Sequence, residues 1–291
     1  MKETLASRTA EAAAALRASH YSLDGGSVFS DPHAINMIGP YWRRLLNRPA
    51  FHKAWAKSTN IGLGPLKAAV NVRSRYTEDL LAQAHEDGIN QYVIVGAGLD
   101  SFALRKGDRF KDLKVYELDH PATQQAKKKH LQQQGFQPDA NHQFVAVNFE
   151  QQTVSAALTS SDFSSDAPCF ISWLGVTHYL TEAATYDTLE SLAQCAAPGS
   201  IMVFDYSIPP SEMPLHERLA TAALSRITAL RGEPIFGHLL PITLHAGLKR
   251  MGWVVIEDLG SDGQYARYEG DWPQGCKPPQ AIRLIQLQRE G

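Results

Sequence analysis

A run of apolar residues that breaks into a glycine turn constrains the fold of this chain more than any other feature. The run from Tyr92 to Val95 leads into Gly96-Ala97-Gly98, and a second apolar run that starts at Leu113 ends at the acidic residue Asp119. A buried strand followed by glycines, with a second strand that ends in a carboxylate, is typical of open α/β sheets that bind an adenosine. We therefore expect a parallel sheet with an adenosine-containing ligand at the carboxyl ends of its strands.

The residues Asp100 and Ser101, which follow the glycines, distinguish between the classes of adenosine ligand. A dinucleotide fold places a pyrophosphate on the backbone N–H groups at the start of the first helix, where a carboxylate would repel it. Asp100 stands at that place, and Ser101 replaces the third glycine of the dinucleotide pattern. S-adenosylmethionine has no phosphate and brings a sulfonium and an ammonium, which suit a carboxylate. The sequence favours this ligand, and a nicotinamide dinucleotide stays as the weaker alternative.

Strand-like and helical segments alternate along the rest of the chain. Strands are predicted at 91–96, 113–119, 143–149, 168–175, 200–207, 253–259 and 281–287. The loop between the last two strands shows no helical pattern, so we expect a tight return and an antiparallel pair. Seven strands with the last one reversed form the Rossmann-like α/β sheet that is usual in class I methyltransferases.

Two segments lie outside this predicted core, which spans residues 91–291. Residues 1–90 are predicted to form a helical N-terminal cap over the ligand, and this apolar cap is a candidate homodimer interface. An insertion at about 208–242, rich in proline and glycine around a helix at 216–230, follows the fifth strand. Since ligands bind at the carboxyl ends of such strands, we interpret the insertion as a substrate lid.

Composition narrows the classes of partner. The chain has 291 residues, 44% hydrophobic, and a formal net charge of −2, which gives no bias toward nucleic acid or an anionic membrane. The three cysteines lack metal-ligand spacing, and the N-terminus lacks the apolar core of a signal peptide. We expect a cytoplasmic enzyme with a small-molecule or peptide-terminus substrate and no metal. The run Lys127–Lys129 is interpreted as a solvated helix face.

Six segments in the same order resemble the leucine carboxyl methyltransferase family, and most closely its bacterial branch of polyketide-type O-methyltransferases. They are 9–18, 31–34, 73–76, 96–105, 116–121 and 175–180. The resemblance implies a methyltransferase that takes its methyl group from S-adenosylmethionine. For the better known members it also implies a carboxylate as acceptor, so that the product is a methyl ester.

The resemblance also implies roles for single residues. Arg73, and with it Arg17, would bind the methionine carboxylate of S-adenosylmethionine. The backbone from Gly96 to Gly98 would approach the ligand, and Asp119 would accept hydrogen bonds from the ribose hydroxyls. Three further members of the matching motifs are counted with the cofactor-binding residues: Ala97, Asp100 and His120.

The chain departs from the family pattern at several of these positions. Asn148 and Phe149 stand where an acidic and an apolar residue usually lie beside the adenine. Leu174 replaces a glutamate that is expected near the methionine end of the ligand, which puts affinity or activity in doubt. Phe102 stands where the bacterial branch usually has arginine.

His178 and Tyr179 follow the fourth predicted strand and are the candidate catalytic residues. A carboxylate acceptor is ionised at neutral pH and needs no general base, whereas a phenol or alcohol needs one, for which His178 is best placed. Three histidines on the lid or just past it could also serve: His216, His238 and His245. A methyltransferase-like binding protein that has lost catalysis, and an NAD(P)-dependent oxidoreductase, are the alternative functions.

Overall fold

The predicted apolar runs form one seven-stranded sheet in the order β3-β2-β1-β4-β5-β7-β6. The computed structural model describes residues 8–48, 63–149, 151–230, 232, 234–273 and 276–291. The strands are β1 Gln91–Val95, β2 Lys114–Asp119, β3 His142–Ala146, β4 Phe170–Trp173, β5 Ile201–Ser207, β6 Trp253–Leu259 and β7 Ile282–Arg289. β1 to β5 pair in parallel, and β7 runs antiparallel between β5 and β6. The predicted fold class is confirmed.

Helices cover both faces of this sheet. They are α1 Arg8–Asp24, α2 Ala34–Met37, α3 Pro40–Leu46, α4 Gly64–Glu86, α5 Phe102–Arg105, α6 Pro121–Gln133, α7 Val154–Leu158, α8 Glu182–Cys195, α9 Leu215–Ala229, α10 Pro241–Arg250 and α11 Ser261–Arg267. Side chains alternate along each strand, so Val93 and Val95 pack in one buried cluster while Tyr92 and Ile94 pack in the other. Burial on both faces explains why these strands read as continuous apolar runs.

Helix α6 begins directly behind the carboxyl end of β2. Pro121 occupies the first turn, where a missing N–H costs nothing, and the His120 ring accepts from the N–H of Ala122 at 3.3 Å. The helix therefore starts two residues after Asp119, and its start holds the end of β2 in place.

The interpretation of the Lys127–Lys129 run as a solvated face is wrong for its first residue. Lys128 and Lys129 are exposed, but Lys127 is buried and pairs with the buried Glu117 of β2. His142 of β3 lies 3.1 Å from the other oxygen of Glu117. Burial alone would raise the pKa of Glu117, but Lys127 and His142 bring it below its ordinary value.

The expectation of a loop without a helix between the last two strands is also wrong. Helix α11 lies there, although its short sequence contains Gly263 and has no apolar stripe. Gln264 is buried and donates from its side-chain amide to the carbonyls of Leu259 and Ile282, at 2.9 and 3.0 Å. A polar side chain that bridges β6 and β7 fixes this helix, so hydrophobic periodicity could not reveal it.

The N-terminal helices pack against one another and against the sheet. α1 lies on α4, and α4 contacts β4 and β5. The division of the chain at residue 90 and the homodimer interface stay predictions. Within the described ranges, no helix combines the length and the apolar character needed to cross a membrane.

Candidate active site

The glycine turn after β1 lies against the end of β2. Gly96 and Gly98 both have positive φ values, 68° and 49°, which glycine adopts without steric cost. The N–H of Gly98 donates to Asp119 Oδ2 at 2.5 Å, and the N–H of His120 donates to Asp119 Oδ1 at 2.6 Å. A Cβ on Gly96 would lie 2.5 Å from Val176 Cγ2, so the turn also touches the loop that follows β4.

Asp119 retains acceptor capacity after these two bonds. Each carboxylate oxygen has more than one acceptor position and receives one backbone N–H here. Burial raises the pKa of this carboxyl above its ordinary value, and the N–H groups of Gly98 and His120 partly offset the rise. A half-buried carboxylate with spare lone pairs fits a ribose with two neighbouring hydroxyls.

Arg17 and Asp100, two predicted ligand-binding residues, bond to protein groups beside this turn. Arg17 is buried, and its Nε donates to Asp31 at 2.9 Å while its Nη2 donates to the carbonyl of Leu99 at 2.7 Å. Asp100 accepts at 2.6 Å from the N–H of Phe102, the first residue of α5. Both side chains therefore hold the turn in place from either side.

A buried ion network continues from Asp31 under α5. Ser101 donates to Asp31 at 2.6 Å, and Arg105 lies 3.5 Å from the same carboxylate. Arg105 also binds Glu78 of α4 through two hydrogen bonds of 2.7 Å. Burial would raise the pKa of Asp31, but Arg17 and Arg105 lower it. The network ties the N-terminal helices to the glycine turn.

A second charged cluster occupies the ends of β4 and β5. Arg73 of α4 donates from Nη1 to Asp205 at 2.8 Å, and the N–H of Gly175 donates to the other oxygen of Asp205 at 2.6 Å. Gly175 has φ 71°, and a Cβ there would lie 2.6 Å from Arg73 Nη2. The glycine thus leaves the space in which the arginine side chain reaches this edge of the sheet.

His178 is part of the same cluster, and both of its ring nitrogens have protein partners. Nε2 lies 3.3 Å from Asp205, and Nδ1 lies 2.9 Å from the hydroxyl of Ser207. Burial would raise the pKa of Asp205, but Arg73 and His178 hold it far below its ordinary value. Tyr179 is half-buried with its ring 6.3 Å from that of His178.

Asp205 and Ser207 are site residues that the sequence reasoning missed. Asp205 lies inside an apolar strand, Ile201–Ser207, and is buried. An acidic residue within an apolar run could have indicated this site, because a buried charge needs a partner.

The residues expected beside the adenine follow β3. Asn148 and Phe149 are both half-buried, and Phe149 packs against one buried cluster of the sheet. Leu174, where the family has a glutamate, packs against the cluster on the other face.

The segment after α9 lies over the ends of β4 and β5. The N–H groups of Phe236 and Gly237 donate to the carbonyl of His178 at 3.0 and 2.9 Å, and the N–H of Leu239 donates to the carbonyl of Ser207 at 2.9 Å. A Cβ on Gly237 would overlap the backbone of the loop after β4. The predicted insertion therefore touches the second charged cluster directly.

Comparison with known proteins now adds to this geometry. Residues 10–193 match the leucine carboxyl methyltransferase family. The chain belongs to that family. The predicted family is confirmed. The fold and the glycine turn agree with a methyltransferase that uses S-adenosylmethionine.

Individual relatives agree with this assignment. YktD of Bacillus subtilis (strain 168), a candidate S-adenosyl-L-methionine-dependent methyltransferase, is 30% identical over 75% of this chain and 70% of its own length. A protein of Mycolicibacterium paratuberculosis with the same assignment is 32% identical over 66% of this chain, but the match spans only 61% of that relative.

Solved structures share the fold at low sequence identity. A candidate methyltransferase from Thermobifida fusca YX has a TM-score of 0.58 and 17% identity, over 95% of this chain and 94% of its own. A DUF574 family protein from Streptomyces avermitilis MA-4680 has a TM-score of 0.59 and 12% identity, over 94% of this chain and 96% of its own. These similarities bear on the fold alone.

Proposed function

We propose that this protein transfers the methyl group of S-adenosylmethionine to an oxygen of a small molecule, and that the favoured acceptor is a carboxylate. The observation that carries the proposal is the carboxylate of Asp119, which accepts from the glycine turn and keeps acceptor positions for a ribose. The family and its named relatives support the methyl donor.

Residues of both clusters would hold the donor. Asp119 would bind the ribose hydroxyls, and Asn148 with Phe149 would flank the adenine. Arg73 uses Nη1 for Asp205, which leaves further N–H groups of its guanidinium for the methionine carboxylate. Arg17 already spends Nε and Nη2 on protein acceptors, so its part in the proposal is to support the turn.

Methyl transfer requires the protein mainly to position the acceptor oxygen relative to the methyl group. S-adenosylmethionine supplies a methyl group on a positively charged sulfur that leaves as a neutral thioether. The chain must hold an acceptor oxygen in line with that group, which accounts for much of the rate enhancement in such reactions. His178 has both nitrogens bonded to Asp205 and Ser207. A carboxylate acceptor, which needs no general base, agrees with that arrangement.

Leu174 supports a second candidate, a methyltransferase-like protein that binds the donor without turnover. It replaces the glutamate that the family resemblance places near the methionine end. Binding of S-adenosylmethionine without methylation of any acceptor would favour this function.

Calorimetric titration with S-adenosylmethionine and S-adenosylhomocysteine tests the proposal. Asp119→Asn is the test variant, and Asp112→Asn, at an exposed aspartate before β2, is the matched control. Hydrogen bonds to a charged group contribute about 1.5–3 kcal/mol each, so we expect affinity for both ligands to fall by about 100-fold in the test variant. Unchanged affinity in Asp119→Asn would contradict the proposed site. Methyl transfer to benzoate and octanoate then tests the acceptor.

A further inference from the structure

Backbone hydrogen bonds hold His238 at the ends of the two strands that carry the second charged cluster. The residues on either side of it are hydrogen-bonded: the N–H of Gly237 donates to the carbonyl of His178, and the N–H of Leu239 donates to the carbonyl of Ser207. Residue 238 is therefore the part of the predicted lid that lies at the carboxyl ends of β4 and β5, beside the candidate catalytic loop.

One ring nitrogen of His238 bonds to the backbone of Ile208, and the other bonds to none of the described residues. The N–H of Ile208 donates to the carbonyl of Ala281, so the carbonyl of Ile208 is the group left for the ring, and the ring donates to it. Nδ1 is buried and has no hydrogen-bond partner among the residues that the structure describes. In a neutral ring that donates through Nε2, Nδ1 carries a lone pair.

The surroundings of His238 favour the neutral form of its ring. Burial lowers its pKa below the ordinary histidine value, and the neighbouring His178 lowers it further, while the bond to Ile208 opposes both. A buried lone pair without a partner is costly, and a catalytic role is one reason why such a group persists.

The other candidate histidines lack this property. His178 has partners on both nitrogens. His245 binds Asp258 at 2.7 Å, and His216 is exposed at the start of α9. Of these four histidines, only the half-buried His238 has a buried ring nitrogen without a partner among the described residues.

Apolar side chains flank the position on the lid. Phe236 and Leu240, two residues before and two residues after His238, are 46% and 38% exposed. An acceptor with an aromatic or apolar body could cover them.

We propose that His238 Nδ1 takes the proton of a phenolic hydroxyl acceptor, which extends the acceptor class beyond carboxylates. The inference rests on the proposed methyl transfer. In that step the acceptor oxygen forms a bond to the methyl carbon while the carbon–sulfur bond breaks, and its electron pair stays on sulfur. The hydroxyl proton passes to Nδ1 and then to solvent.

Acceptors of different acidity test this role. The probes are 4-methylphenol, the more acidic 4-nitrophenol, and benzoate, and formation of S-adenosylhomocysteine is measured for His238→Gln and for the control His216→Gln. General base catalysis typically contributes about 100- to 10,000-fold. We expect a loss of that size with 4-methylphenol, a smaller loss with 4-nitrophenol and none with benzoate. Affinity for S-adenosylmethionine should stay unchanged in both variants.

Nitrogen-15 NMR of the histidines gives a readout that is independent of turnover. We expect the wild-type protein to show a neutral His238 with a proton on Nε2 and none on Nδ1, assigned by the signal that His238→Gln removes. A proton on Nδ1 at neutral pH would overturn the inference.

The remaining outcomes separate the inference from the proposed function. Wild-type protein that methylates benzoate alone, or phenol transfer that survives His238→Gln, overturns the role of His238 and leaves oxygen methylation standing. Protein that binds no S-adenosylmethionine overturns the proposed function itself. Binding of the donor without methylation of any of the three probes counts against both.

Discussion

The two edges of the candidate site hold their ligand-facing groups by different means. At the ends of β1 and β2, backbone N–H groups of Gly98 and His120 fix one carboxylate, and the partners lie at most 21 residues apart in sequence. At the ends of β4 and β5, Arg73 meets Asp205 across 132 residues, within a set of charged side chains. The first edge depends on the path of the backbone, and the second depends on a balance of charges.

This difference predicts different responses to substitution. A backbone-built edge tolerates changes of neighbouring side chains as long as the strand and turn stay in place. In a charged cluster, removal of one member leaves another charge buried without its partner, which is costly.

Lys127→Met removes the buried ion pair with Glu117 that supports the first edge. It leaves the buried Glu117 without its ammonium partner two residues before Asp119. Breaking a buried pair in this way costs about 3–5 kcal/mol, which urea unfolding measures. Lys129→Met, at an exposed position on the same helix, should change stability by less than about 0.5 kcal/mol.

The double variant Glu117→Gln/Lys127→Met sharpens this test. It removes both charges, so it should recover part of the loss. A single Lys127→Met variant as stable as Lys129→Met would show that the buried pair does not support this edge.

Asp205→Asn breaks the second edge. The amide keeps an acceptor for Gly175 but removes the charge that Arg73 and His178 share, at an expected cost of about 3 kcal/mol. Because the pKa of Asp205 is lowered in the folded state, its stabilisation is complete above the ordinary aspartate pKa of about 4 and is lost as pH falls below it.

Acid unfolding therefore separates this variant from the wild type. The wild-type protein should lose stability more steeply below about pH 4 than Asp205→Asn does. Asp166→Asn, at an exposed aspartate, should follow the wild type. Parallel acid curves for wild type and Asp205→Asn would mean that the cluster contributes little.

The same contrast explains which features the sequence could predict. The glycine turn and Asp119 can be predicted from short segments of the sequence. One segment is a strand that breaks at glycines, and the other is a strand that ends in a carboxylate. Arg73 and Asp205 meet only after the sheet has formed, so no local pattern joins them. The resemblance to the family named Arg73 but gave no partner for it.

Lys127 shows a different limit. Three consecutive lysines read as a solvated face, yet the buried residues of α6 fall on one side of the helix: Thr123, Gln124, Lys127 and Leu131. Helical spacing places Lys127 on that face with Leu131. Hydrophobic periodicity misses such a position because the residue is charged, and its partner lies on another element.

Gly175→Ala tests whether the space beside Arg73 matters. The left-handed φ of 71° costs a residue with a side chain about 1–2 kcal/mol, and the new Cβ would also push the Arg73 guanidinium away from Asp205. Gly135→Ala is the matched control, since its φ is 72° and no atom of the described residues lies within 4 Å of the added Cβ. We expect similar losses of stability from backbone strain but weaker binding of S-adenosylmethionine in Gly175→Ala alone. Equal affinities would argue against a ligand role for Arg73.

Leu174→Glu makes the smallest expected change and bears most directly on the second edge. Leu174 is half-buried beside Gly175, so a carboxylate there would join the charged cluster and reach the methionine end of the donor, as the family resemblance implies. An added ion pair at a partly exposed position contributes about 1 kcal/mol, or about a five-fold gain in affinity measured by titration calorimetry. Leu174→Gln has the same shape without the charge and should show no gain. If both variants bind the donor more weakly than the wild type, packing of Leu174 matters more than charge. The second edge would then have replaced the family's carboxylate by the Arg73–Asp205 pair.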